Sequence, residues 1–66
     1  MFTLRDLLDQ VEVQGYVVVK NITTDGDVET VFGGGIESLY PKYFDREVAY
    51  IYSDDSGDLT IEVREQ

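Results

Sequence analysis

The residues able to do chemistry in this chain are carboxylates, and they recur in two places. Asp25, Asp27 and Glu29 occupy alternate positions, and Asp54, Asp55 and Asp58 crowd a second short stretch. Carboxylates in such numbers can hold a metal ion, move a proton or present charge to a partner. Calcium needs oxygen ligands at fixed loop positions, ending in a bidentate Glu. With Gly57 as the loop glycine, Tyr52 falls on the first ligand position and Val63 on the last; with Gly26, they are Asn21 and Phe32. Both registers fail at the bidentate position, so no metal site is expected. Asp and Gly are also what tight turns need.

Acid–base catalysis fares no better. Asp54-Asp55 is the only adjacent acid pair, and it lies in a polar turn with no nucleophile to activate. The chain has no His and no Cys, which removes the commonest general base, the thiolate nucleophile and the disulfide. Gly33-Gly34-Gly35 is followed by Ile36-Glu37 rather than by the Lys and Ser/Thr of a phosphate loop. No enzyme activity and no cofactor are expected.

Charge recognition remains. The 66 residues hold 14 acids and five bases, a net charge of −9. Such a surface repels nucleic acid and anionic membranes and attracts basic proteins. Lys20, Lys42, Arg46 and Arg64 are too scattered for a nucleic-acid patch. In an extended strand Asp25, Asp27 and Glu29 project to one side about 6.6 Å apart. With Asp54, Asp55 and Asp58 at a second turn, the two acidic tips are expected to form one patch that imitates the phosphate charge of DNA.

The elements that must position these acids follow from periodicity. Leu4, Leu7, Leu8 and Val11 mark one face of a helix over Phe2 to Val11, ending between Val11 and Gln14. Thr3 is its N-cap and Asp6 completes a capping box. Tyr16–Ile22 is strong β material and reads as a central strand. Val28–Phe32 pairs with it through an Asp25-Gly26 turn, with Val28, Thr30 and Phe32 on one face. The three glycines end that strand, a short helix or 3₁₀ turn spans Ile36 to Tyr40, and Pro41 to Arg46 is irregular. Glu47–Ser53 and Leu59–Glu65 make a second hairpin around the Asp54–Asp58 turn.

The expected fold is α+β in two layers, a single domain over residues 1–66. The N-terminal helix packs on a four-stranded antiparallel sheet in the order α-β-β-short helix-β-β. Leu59, Ile61 and Val63, with Ala49 and Ile51, face the helix. Tyr50 and Tyr52 then point to the other face, which Tyr16, Val18 and Ile22 share. Tyrosine is enriched at interfaces, so Tyr50 and Tyr52 join the acids as candidate protein-binding residues. No apolar run reaches a membrane span and no signal peptide is evident, so a cytoplasmic protein is expected.

At TLRDLL, Thr3–Leu8, and at FDREVAYIYSDDSGDLTIEV, Phe44–Val63, the chain resembles small acidic proteins of phages and prophages of Gram-positive gut bacteria. The resemblance implies a mobile-element origin. Two readings follow. One is a non-enzymatic module that binds a basic host protein surface, a DNA-mimic inhibitor of anti-CRISPR or anti-restriction type. The other is an assembly module that self-associates through its aromatic sheet face, as a homodimer.

Overall fold

The computed structural model describes residues 1–66. It contains helix α1 (Leu4–Gln10), strands β1 (Tyr16–Ile22) and β2 (Val28–Gly35), two single 3₁₀ turns (Ile36–Ser38 and Pro41–Tyr43), and strands β3 (Val48–Ser53) and β4 (Leu59–Arg64). The chain is α+β, as its pattern predicts. The sheet is not wholly antiparallel. Its order is β2-β1-β4-β3, with two antiparallel hairpins joined by a parallel β1–β4 pair at the centre. The cause is the Ile36–Glu47 segment. It leaves the end of β2 and crosses the sheet before β3 begins, so β4 runs in the same direction as β1.

α1 is held mainly at its first turn. A helix leaves its first four N–H groups without internal partners. Here Leu4 N donates to Arg46 O at 3.0 Å and Arg5 N to Phe44 O at 2.8 Å. Asp6 N donates to Thr3 Oγ1 at 3.2 Å, and Leu7 N to Thr3 O at 3.1 Å. Thr3 N in return donates to Asp6 Oδ2 at 3.0 Å, which completes the capping box. That bond holds the Asp6 carboxyl below its usual pKa, with the Thr3 hydroxyl contact adding to the effect. The helix ends at Gln10, just before the expected Val11 to Gln14 end, and Val11 is its extended C-cap. Val11 is therefore exposed, while Val13 packs on the core instead.

The core is Leu4, Val17, Val19, Leu39, Tyr43, Ile61 and Val63. Leu39 and Tyr43 belong to the crossing segment, so that segment and α1 share one face of the sheet. Two bulges revise the expected side-chain alternation. In β2, Val31 is the extra residue, and the bulge moves Phe32 opposite Val19 on the core side, away from Val28 and Thr30. In β3, Ala49 is the extra residue, and Val48 rather than Ala49 packs on the core. β2 also continues through Gly33–Gly35, which pair with Val18, Val17 and Tyr16 instead of ending the strand.

Candidate functional site

The face opposite α1 is uncovered. On β1 it carries Tyr16, Val18, Lys20 and Ile22; on β4, Thr60, Glu62 and Arg64; on β3, Tyr50 and Tyr52; on β2, Val28 and Thr30. These assignments follow from the pairings Val18 with Thr60, Lys20 with Glu62, Tyr50 with Glu62, Tyr52 with Thr60, and Lys20 with Thr30. Tyr16 and Tyr50 are more than half exposed, at 59% and 57%. Tyr16 lies across β2, where a Cβ on Gly33 would meet its hydroxyl oxygen at 2.5 Å. The absent side chain makes room for the ring.

The middle of this face is shielded by its own side chains. Thr60 is fully buried and Glu62 is 9% exposed, although no other element covers them. Tyr52 O–H donates to Glu62 Oε2. That bond favours the protonated phenol, with partial burial and the Glu62 and Asp54 charges acting in the same direction, so the Tyr52 pKa lies above its usual 10.0. The stabilising contact is then fully present below the ordinary phenol value and is lost as pH rises through the raised one. An ultraviolet titration of the wild type minus that of Tyr52→Phe is expected to isolate one phenol ionising above 10.0. A phenol in that difference curve ionising at or below the ordinary value would contradict the contact. Sequence reasoning selected Tyr52 but not its acceptor, because Glu62 becomes its neighbour only through the β3–β4 register.

The expected acidic patch does not form. Because β1 and β4 are parallel, the turn after β1 and the turn before β4 lie at opposite ends of the sheet. Val17 to Ile22 alone separates them by about 16 Å at the usual rise per residue. Asp25 and Asp27 sit at one end, and Asp54, Asp55 and Asp58 at the other.

The two turns share one design. Thr23 N donates to Asp27 O at 2.7 Å and Gly26 N to Thr23 O at 2.9 Å; Asp54 N donates to Asp58 O at 3.0 Å and Gly57 N to Asp54 O at 2.9 Å. Gly26 and Gly57 supply the positive φ, 92° and 83°. Asp54 Oδ1 accepts from both Ser56 N and Asp58 N at 2.9 Å, so Asp54 acts as a turn residue. Glu29 faces the covered side and accepts from the buried Asn21 amide at 3.4 Å. Asp25, Asp27, Asp55 and the Asp58 carboxylate are left to present charge.

The two ends differ electrostatically. The end where β1 begins also receives Glu12, in the loop before β1, and Glu37, just after β2. None of these segments contains Lys or Arg, so that end is acidic throughout. The opposite end gathers Arg5, Arg46 and Arg64 beside its acids. Arg5 pairs with Asp45 at 3.0 Å and Arg64 with Glu47 at 3.2 Å. No three acids come together as a metal-holding group. A shallow cavity of about 190 Å³ lies on the far side of the molecule, lined by Arg5, Leu8, Asp9 and Phe44. No helix is long and apolar enough to cross a membrane.

Compared with protein-family models, curated proteins and solved structures, the chain finds no match.

Proposed function

We propose that this chain is a non-enzymatic acidic protein-binding module that docks a basic host protein against its open sheet face. The observation that carries this reading is the uncovered surface of Tyr16, Tyr50 and Tyr52 with Val18 and Ile22 between two acid-bearing ends. Large rigid aromatics supply contact area at low entropic cost, and the −9 charge selects the sign of the partner. The resemblance to phage proteins supports an inhibitor of a nucleic-acid-handling enzyme.

The test is release of host proteins from immobilised duplex DNA by the purified chain. Release beyond that of a no-chain control at the same salt is expected at low salt, and this chain-dependent part should fall steeply as salt rises. Asp55→Lys/Asp58→Lys should weaken it more than Asp25→Lys/Asp27→Lys, because no arginine offsets the acids at the Asp55 and Asp58 end. Tyr50→Ala should weaken it without changing the fold. Release that survives both charge reversals would sink the proposal. Self-association through the same tyrosine face is the competing reading, and it is favoured by the same exposed rings. It has the opposite salt dependence, because screening helps two chains of equal charge to meet.

A further inference from the structure

We infer that the outer edge of β3 pairs with the β3 edge of a second copy of this chain. The two strands would run antiparallel about a two-fold axis at Tyr52. The contact uses the edge of the sheet, so it does not rest on the basic-partner reading of its face.

The backbone directs this pairing. β3 is an edge strand, and nothing pairs with the outer side of its second half. Asp54 N points inward to Asp58 O, so by alternation Tyr52 also faces β4, while Ile51 and Ser53 present their N–H and C=O groups outward. Outward pairing already occurs at the start of the strand, where Val48 N donates to Phe2 O at 2.8 Å and Thr3 bridges Glu47. That contact and the bulge at Ala49 blunt the first half of the edge. Ile51–Ser53 has no such protection. Natural edges are usually guarded by charge, proline or a bulge, yet VAYIYS has no charged residue in a strongly charged chain. Ile51 is also 48% exposed although it lies on the core side of the sheet.

The occupant follows from self-complementarity. With Tyr52 opposite Tyr52 of the second copy, Ile51 lies opposite Ser53 and Ser53 opposite Ile51. All four outward N–H groups and all four outward C=O groups of the two edges then find partners. Val48 and its Phe2 cap stay outside the paired stretch. The two tyrosines form a cross-strand pair on the open face, and the two open faces become one continuous surface. Antiparallel pairing also places the all-acidic end of each copy beside the arginine-bearing end of the other. The paired stretch is short, so the dimer is weak and is seen at high protein concentration.

Sedimentation equilibrium of the full chain up to millimolar concentration is the first measurement. A monomer–dimer equilibrium that strengthens with added sodium chloride is expected, because screening reduces the repulsion between two chains of −9. Ile51→Lys should weaken association by roughly tenfold or more while leaving the circular dichroism unchanged, since it charges the edge beside the two-fold axis. Val18→Lys, on the open face, should leave it intact. The chain has no cysteine, so Tyr52→Cys gives a clean crosslink. Its two copies would sit at a non-hydrogen-bonded pair, within disulfide reach, and should oxidise to a covalent dimer much faster than Thr30→Cys on β2. A chain that stays monomeric at every salt concentration overturns the inference. So does a dimer broken by Val18→Lys but not by Ile51→Lys, or equal crosslinking at residues 52 and 30.

Discussion

Leu4→Ala is expected to remove about 3–5 kcal/mol of stability, the loss seen when a fully buried leucine leaves a cavity. A domain of 66 residues has roughly 3–10 kcal/mol in total, so the variant should be largely unfolded or close to it. Leu4 is the only fully buried residue of α1, and it joins the core with Val17, Val19, Ile61 and Val63. Its neighbours have little room to collapse into the gap. Its backbone N–H is fixed to Arg46 O and the Thr3–Asp6 box surrounds it, so the helix start cannot slide inward. Val11→Ala is the matched control. The helical spacing gives Val11 the same apparent weight as Leu4, but it is 50% exposed at the C-cap, and its loss should cost about 0.5 kcal/mol or less. Urea melts of the two variants decide the matter. A difference in midpoint is expected with little change in slope. Equal losses would mean that α1 packs along its whole length.

The same pair of residues shows what was legible in the sequence. The start of α1 was, because a capping box is a local code: Thr3 and Asp6 lie within three residues and satisfy each other's backbone. The limits of β1 and the places of both turns were legible for the same reason, since Thr23, Gly26, Asp54 and Gly57 do their work within five residues; the form of the first turn was not, because Gly26 alone takes a positive φ and Asp25 does not. The β1–β4 pairing was not. Nothing in Val17–Ile22 or Leu59–Arg64 records which way the other runs; that is decided by where Leu39 and Tyr43 find burial as the chain crosses the sheet. The acidic patch depended on this long-range direction and so was misplaced, whereas the tyrosine face depended on alternation within β3. Alternation placed Tyr50 and Tyr52 together on the open side, since both lie beyond the bulge. It misplaced Phe32 and Ala49, because Val31 and Ala49 are bulges that no local pattern marks.

Arg46 is the clearest case of a residue whose role only the fold reveals, and Arg46→Ala is expected to cost about 2–4 kcal/mol. In the sequence it is one of a few scattered bases. In the structure its Nη1 donates to Asn21 Oδ1 at 2.7 Å, and its guanidinium lies 4.7 Å from the centre of the Tyr43 ring. Asn21 is 2% exposed on β1, so truncating Arg46 leaves a buried carbonyl oxygen without its charged donor. The Tyr43 contact adds roughly 0.5–1 kcal/mol. The consequence should spread along the chain, because Arg46 O and Phe44 O hold the first two N–H groups of α1. Hydrogen exchange at Leu4 and Arg5 is therefore expected to quicken in Arg46→Ala more than exchange in β1. Asn21→Val combined with Arg46→Met removes both partners, and the exposed Glu29 carboxylate that loses the Asn21 amide turns to water, so the double variant should be markedly more stable than the sum of the two single losses. Additive losses, or an Arg46→Ala variant within about 0.5 kcal/mol of wild type, would show that Asn21 is satisfied by water and that Tyr43 and its neighbours hold the crossing segment without this arginine.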